Sequence, residues 1–135
     1  MLLEIDFASE EPIYRQIRMQ IVSAVATGEL APGDALPSVR TLASDLGVNM
    51  HTVNKAYAVL RDEGYVAMRG RSGAIIADAA RTMTSAKVQE HRSRIAAELS
   101  RLAFEFRAQG GSHEEFLALA SAQAQSVFFD SKKGN

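Results

Sequence analysis

Two short amphipathic segments meet across Leu46-Gly47-Val48-Asn49, and this junction restricts the chain more than any other stretch. Before it, Val39, Leu42, Ala43 and Leu46 fall on one helical face, Ser38 stands where its hydroxyl can accept a bond from an unpaired N–H, and Gly47 supplies the break. After it, Asn49 is placed to cap a helix from about Met50 to Glu63 whose apolar side is Val53, Ala56, Tyr57 and Leu60, with Gly64 ending it. Two such helices joined by so short a turn have the geometry of a helix-turn-helix.

The flanking sequence completes a small domain. Glu11-Pro12 opens a first helix in which Ile13, Ile17, Ile21 and Val25 recur every fourth residue, and Gly28 closes it. Pro32-Gly33-Asp34 is turn chemistry. Tyr65–Met68 and Ala74–Ala77 are apolar runs around Arg69-Gly70-Arg71-Ser72-Gly73, which reads as a hairpin with a basic, glycine-flanked tip, a wing. From Asp78 to Ser85 the pattern lapses into a linker, and beyond it Val88, Ile95, Leu99, Leu102 and Phe106 form one helical stripe ending near Gly110-Gly111. Ser112 and Glu115 make a capping box for a final helix bearing Phe116, Leu119, Ala120, Val127 and Phe128, and Ser131–Asn135 is expected to fray. The expected fold is therefore mainly α: a winged helix-turn-helix domain with a small β-hairpin over residues 1–78, then a linker and two-helix tail over 79–135.

Two helices bury too little to be stable alone, so the tail needs another surface. It either folds back on the first domain or pairs with the same helices of a second chain about a two-fold axis, and the intervening linker favours the second. A homodimer is expected, with Val88, Ile95, Leu99, Leu102, Phe106, Phe116, Leu119 and Val127 in its interface.

Composition narrows the function. Without cysteine there is no disulfide framework, thiolate nucleophile or Cys-ligated zinc. His51, His91 and His113 fall in separate elements, and Ser112-His113-Glu114-Glu115 is explained as a helix start, so neither an enzyme nor a metal site is expected, and no cofactor. No apolar run approaches the roughly 18 residues of a membrane span, which makes a cytoplasmic protein with no membrane partner the expectation. A formal charge of -1 gives no general field, so a charged partner must be met by a local patch.

Several blocks resemble one family. Pro12-Ile13-Tyr14-Arg15-Gln16-Ile17, Gly28-Glu29-Leu30-Ala31-Pro32-Gly33-Asp34-Ala35-Leu36-Pro37-Ser38-Val39-Arg40, Leu46-Gly47-Val48-Asn49 and Thr52-Val53-Asn54-Lys55-Ala56-Tyr57 resemble, in order, the GntR family of bacterial winged-helix transcription regulators, over about residues 5–77. The short two-helix tail and Lys-Ala-Tyr are similar to its YtrA subfamily; there is no room for the aminotransferase-like domain of the MocR subfamily. The resemblance implies a dimeric repressor on an inverted-repeat double-stranded DNA operator, often of a transporter operon. The chain departs from the subfamily at Met50-His51, where many relatives have Pro-Asn, and in a wing tip longer than the common Gly-x-Gly.

The third helix suits that role. With Val53, Ala56, Tyr57 and Leu60 inside, His51, Asn54, Lys55 and Arg61 remain outside, and Thr52 lies near the positive end of the helix, where a phosphate can be held. Asn54 offers the paired donor and acceptor adenine needs, and His51 can bond a base edge. Arg40 resembles the family's second-helix arginine that reaches DNA, while Arg69 and Arg71 suit a narrow minor groove. Arg15 and Arg18 are expected in solvent, and Tyr14 and Tyr57 in the core. Against this, residues 1–78 hold seven Lys and Arg but ten Asp and Glu, which points to modest affinity relying on dimeric contact. The alternative is a winged-helix protein-interaction module without specific DNA binding. A small-molecule effector would have room near the linker or between the dimer's helices.

Overall fold

A computed structural model describes residues 2–70 and 73–130. The elements run α1 (Ile13–Ala26), α2 (Val39–Leu46), α3 (Met50–Asp62), β1 (Val66–Met68), β2 (Ala74–Ile76), α4 (Ala79–Thr82), α5 (Ser85–Ala108) and α6 (His113–Gln125), the last continuing into a π-helical turn, Ser126–Asp130. One compact unit ends at Met83 and a second begins at Thr84.

In the first unit the apolar stripe of each helix meets those of the others. Ile17 and Ile21 of α1, Leu42 and Ala43 of α2, and Val53, Ala56, Tyr57 and Leu60 of α3 are buried together, and Val66, Ala74 and Ile76 close the core from the hairpin. The strands pair antiparallel in the register Val66↔Ile76, Ala67↔Ile75, Met68↔Ala74. Three-residue strands are marginal alone, and here the stretch read as a plain turn lends a third edge. Ala35 bridges Ile75, the Leu36 N–H donates to the Ala74 carbonyl at 2.9 Å, and the Ile76 N–H donates to the Asp34 carbonyl at 2.8 Å. The extended start is held to α1 by side-chain amides acting as a strand partner would: Gln16 accepts from the Asp6 N–H at 2.9 Å and donates to the Asp6 carbonyl, and Gln20 does the same for Glu4.

One side chain and one stretch of backbone differ from their sequence expectation. Arg18 is not simply solvated: its guanidinium donates to both carboxylate oxygens of Glu63, at 2.7 and 3.1 Å, and lies over the Tyr65 ring, tying α1 to the end of α3. The fork matches the carboxylate, as arginine pairs of this kind require, and the Glu63 bond raises the Arg18 pKa. Within the stretch read as a linker, Ala79–Thr82 forms one helical turn. Arg15 is exposed as expected, with its Nε 3.3 Å from the Tyr14 hydroxyl.

Tyr57 is in the core, and its hydroxyl donates to the Pro37 carbonyl at 2.8 Å, fastening α3 to the approach to α2. Burial pushes its phenol up to about 12. The unfolded chain ionises near pH 10, so it sheds this proton first as the pH rises; stability from the neutral phenol is complete below pH 10 and lost between 10 and 12. Tyr57→Phe should cost about 1–2 kcal/mol at neutral pH by stranding the carbonyl, and urea unfolding across pH 10–12 should show a shallower alkaline loss than in the wild type.

In the second unit the Thr84 hydroxyl accepts from the Lys87 N–H to start α5, and α6 opens with a complete capping box between Ser112 and Glu115. The Phe106 and Phe116 rings pack at 5.9 Å across the turn between them. A Cβ on Gly111 would lie 2.1 Å from the Phe106 ring, so the bare glycine is what lets that ring seat. No described residue of α5 or α6 is fully buried.

Candidate nucleic-acid interface

The candidate interface is assembled from two capped helix starts. The Ser38 hydroxyl accepts from the Thr41 N–H at 3.1 Å, fixing the first turn of α2 with Arg40 exposed upon it. Gly47 then turns the chain in a left-handed conformation, φ 70°, which a side chain would oppose. Two residues on, the Asn49 carboxamide accepts from the His51 N–H at 2.7 Å and starts α3.

From there α3 divides sharply. Val53, Ala56, Tyr57 and Leu60 are buried, while His51, Asn54, Lys55 and Arg61 are exposed and Thr52 is half-buried. Val39, Asn49, Met50, His51 and Asn54 line an open groove of about 610 Å³ across the heads of the two helices, and no carboxylate lines it. Asn54 and His51 are thus brought together with Val39, the residue before Arg40, while Arg40, Thr52 and Lys55 do not line the groove.

Lys55 is held differently. Its ammonium lies 4.2 Å above the centre of the Tyr14 ring, with the Arg15 guanidinium 6.0 Å from the same ring. Cations over an aromatic face are attracted by its quadrupole, and the Arg15 hydrogen bond lowers the Tyr14 phenol below its ordinary value. Tyr14 is half-buried against the core yet also orders two positive charges, a role that spacing within α1 alone could not disclose because its partner is on α3. A second concave site of about 380 Å³ lies between α1 and α3, lined by Tyr14, Arg18, Met19, Val59 and Glu63 among others; this is neither of the places anticipated for an effector.

Arg69 follows β1 and is exposed, its N–H donating to the Gly73 carbonyl at 2.8 Å across the hairpin end. It does not line the α2–α3 groove. Arg71 lies outside the described residues, as do Ser131–Asn135, where fraying is expected. Of the tail positions, Val88, Ile95, Leu99, Leu102, Leu119 and Val127 are exposed in the single chain, and Phe106 and Phe116 are half-buried against each other. Among the described residues there is no group of three metal-ligating side chains, and no helix is long and apolar enough to cross a membrane.

Comparison with known proteins supplies the context for this geometry. The family described as bacterial regulatory proteins, gntR family, matches residues 11–76. The chain is 42% identical over 74 residues to the HTH-type transcriptional regulator Rv1152 of Mycobacterium tuberculosis, covering 55% of this chain and 61% of that protein. It is 41% identical over 88 residues to the HTH-type transcriptional repressor YtrA of Bacillus subtilis, covering 64% and 68%. The chain thus spans about three fifths to two thirds of the length of these curated relatives. Among solved structures, a transcriptional antiterminator from Listeria monocytogenes is similar over 94% of this chain and 92% of its own, with a TM-score of 0.80 and 30% identity. YtrA from Sulfolobus acidocaldarius, a GntR-family transcription factor, has a TM-score of 0.55 and 42% identity over 72% of this chain and 99% of its own. The DNA-binding domain of AraR, solved in complex with operator ORX1, has a TM-score of 0.52 and 27% identity over 57% and 99%. The continuous match from α1 through the wing, together with identity of this order to YtrA proteins, settles the affiliation: the chain belongs to the gntR family of bacterial regulatory proteins, as a YtrA-like winged-helix transcription regulator.

Proposed function

We propose that this DNA-binding regulator is a dimeric repressor that reads an inverted-repeat operator, one subunit to each half-site. The observation that carries the reading is the division of α3 into a buried apolar face and an exposed face of His51, Asn54 and Lys55, of which His51 and Asn54 open on a groove that no carboxylate lines. A recognition helix needs both faces. In this reading Asn54 bonds adenine, His51 a neighbouring base edge, Arg40 a guanine or paired phosphate oxygens, and Thr52 and Lys55 phosphates, while Arg69 and Arg71 reach the minor groove. The repressor sense is supported by the Bacillus YtrA relative, itself a transcriptional repressor, and the operator by the AraR complex. Pairing of the α5 and α6 stripes, from Val88 to Val127, supplies the dimer.

Salt dependence tests the contact scheme, because each phosphate contact contributes roughly one unit of slope to the dependence of log affinity on log salt. Lys55→Ala should shallow the slope by about one unit per site and weaken all sequences evenly. The Arg69→Gln, Arg71→Gln double variant should lower affinity with an unchanged melting curve, since Arg69 is exposed. Unchanged slopes and affinities would remove these residues from the interface. Failure of the wild type to bind any duplex would instead favour the protein-interaction module.

A further inference from the structure

The groove at the heads of α2 and α3 holds one feature that hydrogen-bonded base reading does not use. Met50, the first residue of α3, is 44% exposed, and with half-buried Val39 it gives the groove apolar ground among Asn49, His51 and Asn54. Met50 is not part of the buried core, which takes Val53, Ala56, Tyr57 and Leu60 from this helix. Isolated exposed apolar side chains are common and carry no meaning by themselves. This one differs in its company: it lines the same groove as two side chains suited to base edges, His51 and Asn54, and no carboxylate lines that groove.

The 5-methyl of thymine is the one methyl group that the major groove presents, amid hydrogen-bond donors and acceptors and the smaller C5–H of cytosine. An unbranched, polarizable thioether side chain fits such a methyl without demanding exact register. We propose that Met50, backed by Val39, is a specificity-determining contact that receives a thymine 5-methyl group. Met50 and Asn54 stand four residues apart on one helix face, a rise of about 6 Å. At about 3.4 Å per base step, the thymine falls one or two base pairs from the pair bonded by Asn54. The proposal rests on the DNA-binding reading and adds to it the identity of a base.

The test isolates the methyl group. Sequences bound by the full chain are selected from random duplex DNA, and each thymine of a half-site is replaced in turn by deoxyuridine, which keeps the base pair and loses only the methyl. Loss of one buried methyl-sized contact corresponds to about fourfold weaker binding. The expected result is one thymine per half-site with that effect, within two base pairs of the position whose preference Asn54→Ala relaxes. Met50→Ala should bind thymine and deoxyuridine operators alike, and Met50→Leu should keep the difference. Because Met50 is exposed, both variants should melt like the wild type. Wild-type indifference to deoxyuridine at every position, or undiminished discrimination by Met50→Ala, overturns the methyl contact while leaving DNA binding intact. Enrichment of no sequence at all overturns the proposal together with the reading beneath it.

Discussion

Leu99→Glu is expected to yield a monomer whose operator affinity falls about a hundredfold or more. Along α5, Ile95, Leu99 and Leu102 present apolar side chains to solvent in the single chain, and Leu99 is 48% exposed. A stripe of this kind on a helix with no buried residue suits a covering surface, and in the proposed dimer a second copy would bury it on both sides. A carboxylate placed there would have to be desolvated without a partner, at a cost of several kcal/mol. With the dimer gone each half-site is bound independently, and the gain from linking two binding events, typically two to four orders of magnitude, disappears. Phe106→Glu should act in the same direction, but it also breaks the Phe106–Phe116 ring contact, so Leu99 is the cleaner site. Sedimentation at micromolar concentration checks this: a wild type that runs as a monomer, or a Leu99→Glu variant that remains dimeric, removes the tail from this role.

Arg40→Ala carries the next largest expectation, a loss of about 1–3 kcal/mol at the selected operator. Arg40 is exposed on the first turn of α2, a turn fixed by the Ser38 cap, so its removal should cost little stability. Base reading and phosphate binding separate in a second measurement. If the guanidinium reads guanine, affinity for an unrelated duplex should hardly change; if it grips phosphates, both affinities should fall together and the salt slope should become shallower. Equal binding by Arg40→Ala and wild type at the selected site would exclude Arg40 from contact.

What the sequence made legible was local. Ser38, Gly47 and Asn49 act on backbone groups within four residues of themselves, so the ends of α2 and α3 followed from residue type, as did the Ser112–Glu115 capping box. The inward face of α3 followed from its spacing, because a helix with one buried side has only one way to orient it. The features that escaped join distant residues. The Ala35–Ile75 bridge depends on where the wing docks, Arg18 and Glu63 are 45 positions apart, and the Lys55–Tyr14 contact needs α1 packed on α3. Nothing in the periodicity of one element encodes its neighbour's charge. The turn at Ala79–Thr82 escaped for another reason: its small and polar residues show no stripe, and a helix of four residues needs none. At the site, residue types on α3 suggested base contacts, but the apolar ground between Val39 and Met50 emerged only when the heads of two helices were brought to one groove.

Selection of bound duplexes from a random pool by the full wild-type chain tests the central claim most directly. A two-fold dimer presenting two α3 helices predicts an enriched inverted repeat with half-sites about one helical turn apart, centre to centre. Enrichment of no sequence, or of a single site without two-fold symmetry, would contradict it.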